Sequence, residues 1–274
     1  MKRNILFALI LLVGTTAMQA QDSQLPDSVT TVAADDTYTQ FTAPENYTKQ
    51  VGDSAYLQND YALAINIYET LLQQGEAPEV YYNLGNCYYK TDEIAKAILN
   101  YERALLLSPN NADFKANLEI ARAKTIDKIV SVPEIFFVAW TKGLINCLDT
   151  NTWAYLGVVF FIVLLVACAL YFLAKQATLK KTGFIIGAIM LLFTILCNIF
   201  AAQQKDRLLN RNEAIVMNPS VTVRSTPSES GTSLFILHEG TKVIIKDSSM
   251  KEWTEITLED GKVGWLPATS IEII

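Results

Sequence analysis

The sequence predicts a multi-domain membrane protein that combines an all-α stack of helical repeats, a two-helix transmembrane hairpin and a small all-β barrel. Three observations predict these parts. Residues 44–130 repeat themselves with a period of 33 to 34 positions, two later stretches are long, apolar and uncharged, and residues 213–274 alternate apolar and polar positions between turns. These patterns are typical of stacked helix pairs, membrane spans and short strands, respectively.

The two apolar stretches, Thr152–Ala174 and Gly183–Ala202, are predicted transmembrane helices. They run 23 and 20 residues without a charged side chain. At a rise of about 1.5 Å per residue, either one crosses a hydrocarbon layer of about 30 Å. The alternative is the buried core helix of a soluble domain, and it accounts for neither the length nor the tandem arrangement.

Residues 175–182 form a basic loop between these stretches, with Lys175, Lys180 and Lys181 and no acidic residue. Short loops rich in lysine stay in the cytoplasm. We therefore expect the hairpin to turn inside the cell. Both soluble modules should then lie on the periplasmic side of the inner membrane.

The first 43 residues are predicted to be processed or unstructured. Residues 1–20 have the pattern of an export signal: a basic start, the apolar core Ile5–Val13, and small residues up to Ala20, after which we expect cleavage. A retained anchor is the alternative, but the apolar core is too short to span a membrane. Residues 21–43 carry four Asp and neither Lys nor Arg, which predicts a disordered acidic linker.

Composition excludes several classes of protein. The formal net charge of −6 argues against nucleic-acid binding, which depends on clustered Lys and Arg. The cysteines have no short spacing, so we expect neither a disulfide framework nor a metal site, and the sequence predicts no cofactor. The four cysteines are Cys87, Cys147, Cys168 and Cys197.

Small and aromatic residues recur at a constant offset within residues 44–130. The positions that recur 33 residues apart are Gly52 with Gly85, Ala64 with Ala97, and Tyr68 with Tyr101. The second copy resembles the tetratricopeptide repeat family at eight signature positions. These are Tyr81, Leu84, Gly85, Tyr88, Ala97, Tyr101, Ala104 and Pro109. The first copy is degenerate, and the third is half a repeat.

The repeat spacing predicts five helices. Small residues at Gly85 and Ala97 allow two antiparallel helices to approach closely, and Pro109 ends the second helix of the pair. The fifth helix is expected to cap the last apolar face. The predicted helices are 44–58, 60–74, 78–90, 93–107 and 111–129.

The family resemblance implies a concave groove that binds peptides and is lined by the first helix of each pair. The alternative is a solvated face with incidental aromatic side chains. The groove-facing positions implied by the resemblance are Lys49, Asp53, Tyr56, Tyr82, Asn83, Asn86, Tyr89 and Lys90. Lys49 and Asn83 match part of the family's clamp for C-terminal carboxylates. Asp53 and Asp113 stand where that clamp requires an amide and a cation, so we do not expect the clamp.

Residues 133–148 are predicted to form an amphipathic helix. Its apolar face, from Phe136 through Trp140 to Leu148, joins directly to the first membrane span, which favours a position in the outer headgroup layer. Packing on the repeat stack is the alternative. In the second span, Gly183 and Gly187 form a small-residue pattern that serves either the hairpin itself or self-association, and Asn198 is able to hydrogen-bond across either contact.

Residues 213–274 predict six short strands with turns between them. The segments 221–227, 237–240, 253–256 and 260–267 resemble a bacterial SH3 domain, a family that binds cell-wall or protein peptides. Gly240 and Gly261 suit turns with positive φ, and Gly264 allows close backbone approach. Trp253 and Trp265 are expected to anchor the core first and contact ligands second. For His238 we expect a structural role.

The sequence favours a non-catalytic protein. Cysteine peptidases, which often carry bacterial SH3 domains, need a Cys–His pair. The sole histidine, His238, lies in the predicted barrel, and neither a Gly-x-Ser-x-Gly elbow nor a phosphate loop is present.

The order of parts resembles the BatE family of bacterial aerotolerance (Bat) gene clusters. The resemblance implies an envelope complex linked to oxidative-stress tolerance, whose partners are membrane proteins with von Willebrand A domains and a MoxR-type ATPase. We therefore predict an inner-membrane scaffold in contact with the lipid bilayer. The alternative is an envelope sensor that binds peptidoglycan through the SH3 domain and signals inward.

Overall fold

The computed structural model describes residues 47–129 and 135–274. The predicted export signal and acidic linker lie outside these residues. In chain order, the described part contains a stack of five α-helices, one short helix, an apolar helical hairpin and a seven-stranded antiparallel sheet.

The helical stack contains the five predicted helices. Their bounds are α1 Lys49–Leu57, α2 Tyr61–Gln74, α3 Pro78–Lys90, α4 Ile94–Leu107 and α5 Ala112–Ala123. The fifth helix is shorter than predicted, because Lys128 Nζ donates hydrogen bonds to the carbonyls of Arg122 and Ala123 at 3.0 Å each and so ends it. The chain then turns towards the sheet.

Two equivalent turns connect the helices of each pair. Asn59 and Asp92 lie 33 positions apart, and both have positive φ, at 62° and 64°. The next residue, Asp60, accepts a hydrogen bond from the backbone N–H of Leu63 at 3.1 Å and caps α2. The two turns therefore repeat in backbone conformation, although their residues differ.

Close approach of the paired helices depends on glycine. A Cβ atom at Gly85 would lie 2.7 Å from the ring of Tyr101 and 3.3 Å from the carbonyl oxygen of Ala97, so the ring fills the space that a side chain would take. Gly52 stands in the same relation to Tyr68, at 2.6 Å. The predicted role of Gly85 is thus confirmed.

The apolar hairpin consists of α7 Thr150–Leu173 and α8 Ala177–Leu209. The basic segment is not an eight-residue loop as predicted, because α8 begins at Ala177 and takes Lys180 and Lys181 into its first turns. Only residues 174–176 connect the two helices. Both helices are long and apolar enough to cross a membrane.

Small residues form the contact between α7 and α8. A Cβ at Gly183 would lie 3.0 Å from the carbonyl oxygen of Ala167, and Gly187 faces Leu164 and Ala167. The two glycines therefore serve the hairpin itself. Asn198 Nδ2 donates to the carbonyl oxygen of Thr194 in its own helix at 2.8 Å, and among the described residues Asn198 makes no hydrogen bond across this contact.

The short helix α6 spans Phe136–Ile145. Phe136, Phe137 and Trp140 are 74%, 71% and 57% exposed. The helix packs against the end of α8 rather than on the stack. Its last turn is fixed there because Trp153 Nε1 and Gln204 Nε2 donate to the carbonyl of Ile145 at 2.9 and 2.6 Å.

The sheet has seven strands in the order β3-β2-β6-β5-β4-β1-β7, around its own apolar core. The six predicted strands are present, and a seventh follows a single turn of 3-10 helix. The strands are β1 Glu213–Val216, β2 Ser220–Arg224, β3 Ser233–His238, β4 Lys242–Asp247, β5 Trp253–Thr257, β6 Val263–Pro267 and β7 Ile271–Ile273. Gly240 and Gly261 have positive φ as predicted, at 81° and 87°. Gly264 packs closely against Val223.

The sheet packs directly on the stack, through α4 and the segment after α5. Ile215 and Ile274 of the sheet belong to the same apolar core as Ile98 of α4. At the β3–β4 turn, a Cβ on Gly240 would lie 2.8 Å from Thr125 and 3.0 Å from Ile98. The stack and the sheet therefore share apolar surface that neither buries alone.

A buried charge network crosses the same contact. Lys242 Nζ of β4 lies 3.0 Å from Glu102 of α4 and 2.8 Å from Glu213 of β1. Arg122 of α5 also pairs with Glu102. Burial works to lower the pKa of Lys242, but the two carboxylates outweigh burial and raise the pKa. At Glu213, burial works to raise the pKa, but the charge of Lys242 outweighs burial and lowers the pKa.

Two further polar contacts connect the stack and the sheet. Asp127 Oδ2 accepts hydrogen bonds from the backbone N–H of His238 and the hydroxyl of Thr241, both at 2.7 Å, and its Oδ1 lies 2.8 Å from His238 Nδ1. At the edge strand β7, Arg103 Nη2 lies 3.0 Å from Glu272 and donates to the carbonyl of Ile273 at 2.6 Å.

The close approach at Gly85 yields a first prediction. Gly85→Ala should destabilise the stack by about 1–3 kcal/mol, because the Tyr101 ring has to move. The gain in helix propensity, at most about 1 kcal/mol, is too small to offset this cost. Hydrogen exchange of residues 78–107 should report the loss. Gly75→Ala is the control, since no atom lies within 4 Å of its added Cβ. Equal protection in both variants would contradict the packing argument.

Lys242→Met should separate the sheet from the stack. The substitution leaves the buried carboxylate of Glu102 with Arg122 alone, and breaking a buried pair costs about 3–5 kcal/mol. We expect a value near the lower limit, measured as the loss of denaturant resistance of the full chain. Lys246→Met, an exposed position on the same strand, should change stability little. A similar loss in both variants would exclude a special role for Lys242.

The contact between the stack and the sheet should also open in acid. Burial works to raise the pKa of Asp127, but the hydrogen bonds from His238 and Thr241 hold it below its ordinary value of 3.8. A carboxylate with a lowered pKa stabilises the folded state above its unfolded pKa, and the contribution is lost as pH falls through the folded pKa. The hydrogen-exchange protection factors of β4, which are corrected for the pH dependence of the intrinsic rate, should therefore stay constant from about pH 7 to about pH 5 and fall below about pH 4.

Asp127→Asn should reduce this acid dependence. Asp260→Asn is the matched control, since the pKa of Asp260 is also lowered but its partner is Lys262 in an exposed turn. If both variants keep the acid profile of the unmodified chain, Asp127 does not control the contact.

Candidate functional site

The candidate site is the groove, defined as the inner face of α1, α3 and α5. Its first polar cluster surrounds Asp53 of α1. The carboxylate accepts hydrogen bonds from Tyr68 Oη at 2.7 Å and from Lys49 Nζ and Asn83 Nδ2, both at 2.8 Å. Burial works to raise the pKa of Asp53, but these three donors outweigh it and lower the pKa.

A second polar cluster lies one repeat further along the stack and has the same arrangement as the first cluster. Asn86 Oδ1 accepts hydrogen bonds from Tyr101 Oη at 2.7 Å and from Asn117 Nδ2 at 2.9 Å. In both clusters, a side chain on the first helix of a pair accepts from the tyrosine of its own second helix and from the asparagine of the next pair. The 33-residue repeat therefore builds a ladder of side-chain amides along the groove.

The ladder leaves polar atoms for a ligand. Among the described residues, no hydrogen-bond partner contacts Oδ1 of Asn83 or Nδ2 of Asn86, and both side chains are half-buried. One atom is an acceptor and the other a donor. This pair matches the N–H and C=O groups of an extended peptide backbone.

A cavity of about 200 Å³ opens beside these amides. Its walls come from α1, α2 and α3, and Tyr56 and Leu57 form its apolar side. Leu57 is 79% exposed, although its side chain is fully apolar. The cavity is suited to a hydrophobic side chain of a bound segment, held next to the backbone contacts of the ladder.

The other end of the groove is aromatic and basic. Tyr82 stacks on Phe114 of α5 with ring centroids 4.6 Å apart. Lys124 Nζ lies 4.4 Å from the centre of the Tyr89 ring. Lys90 is exposed at the end of α3. The structure therefore places the eight predicted groove residues on two helices, α1 and α3.

The two tryptophans of the sheet lie on one face of neighbouring strands, as diagonal neighbours. Trp253 of β5 pairs with Pro267, and Trp265 of β6 pairs with Glu255. Trp253 is only 9% exposed, whereas Trp265 is half-buried and also pairs with Arg224. Of the two, Trp265 is the one whose ring is accessible to a ligand.

Sequence reasoning did not assign Tyr68 and Asn117 to the groove, although both carry the ladder. The signal was present in the repeat, since Tyr68 precedes Tyr101 by 33 residues and Asn83 precedes Asn117 by 34. The contact between Asp127 and His238 was also missed. The two residues lie 111 positions apart, and no local pattern connects them.

Within residues 47–129 and 135–274, no group of three or more His, Cys, Asp and Glu side chains is arranged to hold a metal ion. In the same ranges the four cysteines are free thiols. Cys87 and Cys197 are buried, and Cys147 and Cys168 are exposed.

Comparison with known proteins identifies one part of the chain. The family model described as Tetratricopeptide repeat matches residues 78–111, the pair formed by α3 and α4. The helical stack thus contains a tetratricopeptide repeat, a class of module that mediates protein–protein interactions. A search of curated proteins gives no match for the chain.

Removing the tyrosine hydroxyl should lower the free energy of unfolding more in the first cluster than in the second. Tyr68→Phe removes a hydrogen bond to a carboxylate, worth about 1.5–3 kcal/mol, whereas Tyr101→Phe removes one to an amide, worth about 0.5–1.5 kcal/mol. Denaturant unfolding of the full chain should show the larger loss for Tyr68→Phe. The difference should vanish in acid, once Asp53 is protonated. Equal losses at neutral pH would argue against an ionised Asp53 as the acceptor.

Proposed function

We propose that this chain is a non-catalytic scaffold of the inner membrane, which holds a peptide-binding groove on the periplasmic side and assembles partner proteins. The observation that carries the proposal is the arrangement of the two faces of the stack. The sheet and the end of α8 pack on α4. The groove ladder and its cavity lie on the other face, which these modules leave open.

Membrane insertion of the hairpin is the second part of the proposal. Its helices have 24 and 33 residues, with mean hydropathies of 3.0 and 2.5 over their most apolar parts, and only 11% of each part is buried. Surfaces of that size without a protein partner are suited to lipid. Lys175, Lys180 and Lys181 at the turn favour a cytoplasmic turn. The exposed aromatic side chains of α6 then lie at the outer interface.

The identity of the sheet and of the complex is a proposal by resemblance. The sequence blocks of the sheet resemble a bacterial SH3 domain, and the order of modules resembles the BatE family of aerotolerance gene clusters. We infer partners of the kind that this family implies, namely membrane proteins with von Willebrand A domains and a MoxR-type ATPase. The complex would serve oxidative-stress tolerance in the envelope.

The sensor alternative requires a signal to cross the membrane. Between the uncharged stretches Thr152–Ala174 and Gly183–Ala202, only residues 175–182 are left for the cytoplasmic side. This short turn offers little surface to a cytoplasmic partner. We therefore prefer the scaffold to a peptidoglycan sensor.

A crosslinked pull-down from intact membranes tests the scaffold function. The full chain should recover specific envelope proteins, and Tyr56→Ala combined with Asn83→Ala should reduce their recovery, because these changes remove one cavity wall and one ladder amide. The matched control is Asn66→Ala, an exposed asparagine of α2 outside the groove. Unchanged recovery with the groove variant, at equal protein levels, would contradict the proposal.

A further inference from the structure

A second cavity, which we call the junction cavity, lies where the stack, the hairpin and the sheet meet. Its volume is about 180 Å³. Its wall includes apolar side chains from the end of α4 and polar ones from α5, α8 and the sheet. The lining residues that matter here are Leu106, Lys115, Gln204, Arg207, Glu213 and Lys242.

The junction cavity has an excess of positive charge. Its lining includes two acidic side chains, Glu102 and Glu213, and three basic ones, Lys115, Arg207 and Lys242. Lys242 pairs with both carboxylates, and Glu102 also pairs with Arg122. In the part of the chain that the structure describes, Lys115 forms no ion pair. Arg207 makes one long hydrogen bond there, 3.4 Å to Asn146 Oδ1, and no ion pair. Arg207 acts on Glu213 only through space, where it helps to lower the pKa of that carboxyl. The cavity therefore presents two cationic side chains that form no direct ion pair.

The position of the cavity along the hairpin can be estimated from helix geometry. The uncharged part of α8 ends at Ala202, and the helix continues without a break to Leu209. At a rise of about 1.5 Å per residue, Gln204 and Arg207 lie about 3 Å and about 7.5 Å beyond that end. The polar headgroup layer occupies about 5–8 Å on each side of the hydrocarbon. Arg207 thus reaches the depth of the lipid phosphates.

The walls of the cavity are held firmly at this depth. Gln204 is 5% exposed, and its amide donates to the carbonyls of Ile145 and Leu148 at 2.6 and 2.8 Å and accepts from Thr150 at 3.0 Å. These bonds fix the end of α8 to the start of α7. The cavity is therefore preformed in the folded chain and needs no rearrangement to receive a small anionic group.

We propose that the junction cavity binds a phosphate-bearing anion, and that its source is the headgroup of an anionic phospholipid in the periplasmic leaflet. Arg207 and Lys115 contact the phosphate, and Leu106 lies beside the apolar part of the lipid. The inference rests on the proposed insertion of the hairpin. It adds a lipid ligand that ties the stack and the sheet to the membrane surface.

Lipid binding by the purified full chain tests the site. Native mass spectrometry from neutral detergent should show bound phosphatidylglycerol in preference to phosphatidylcholine. Arg207→Gln combined with Lys115→Gln should weaken phosphatidylglycerol binding about tenfold or more, since each basic side chain near an anionic lipid contributes about 1 kcal/mol. Lys205→Gln combined with Lys246→Gln is the control, because it removes the same charge from exposed positions outside the cavity.

The remaining outcomes separate the sources of phosphate. Competition of inorganic phosphate with phosphatidylglycerol would support phosphate recognition. Binding of inorganic phosphate by a chain that does not bind phosphatidylglycerol would overturn the lipid as its source. Equal lipid binding by the cavity variant and the control would overturn the site. Arg207→Lys keeps the charge and should retain binding. It shows whether loss in the double variant reflects charge or misfolding.

A separate measurement tests insertion itself. In spheroplasts, a membrane-impermeant maleimide should label Cys147, which is exposed outside the hairpin. It should not label Lys175→Cys at the turn in a chain that also carries Cys147→Ser. The opposite labelling would overturn the proposed function as a whole. Correct labelling together with unchanged phosphatidylglycerol affinity would overturn only the lipid site.

Discussion

The structure depends on one buried contact, the lysine of β4 that bridges carboxylates of the stack and the sheet. Lys242 lies between Glu102 and Glu213, and the apolar side chains of Ile215 and Ile274 pack around the same place. A lysine in such surroundings is costly unless both charge partners are present. The charge network therefore favours the one relative arrangement of stack and sheet in which Lys242 reaches both Glu102 and Glu213.

This arrangement determines which surfaces remain for partners. With α4 covered, the amide ladder on α1, α3 and α5 is the face left open. A further ion pair connects Arg211, just after the hairpin, to Glu76 between α2 and α3, at 2.8 Å. The stack is thus held to the hairpin as well as to the sheet. A ligand in the groove is presented in a fixed direction relative to the two apolar helices.

Much of this architecture is readable from the sequence, because local patterns encode it. The helix pairs and six strands follow from periodicity, and the apolar hairpin follows from the length of two uncharged runs. The sequence around Gly85, Gly240 and Gly261 predicts the roles that these glycines have in the structure. The seventh strand was missed because Ile271–Ile273 is too short to show alternation. The sequence predicts too long a turn in the hairpin, because Lys180 and Lys181 are compatible with a helix as well as with a loop.

The contact between stack and sheet was not predictable in the same way. Glu102 and Lys242 are 140 positions apart, and each reads as an ordinary surface charge within its own helix or strand. In the groove, by contrast, the 33-residue repeat encodes the positions of the ladder residues. Only the hydrogen bonds of the tyrosine hydroxyls require the three-dimensional structure. Long-range pairing of single residues carries no periodicity, so three-dimensional structure is required to find it.

The bond from Arg103 to the carbonyl of Ile273 has a consequence for how the chain avoids aggregation. An edge strand offers unpaired backbone groups to any other strand that approaches, including the same strand of a neighbouring copy. Here a guanidinium from a helix occupies one of those groups on β7. The carbonyl of Ile273 is therefore not free to accept a hydrogen bond from the edge strand of another copy.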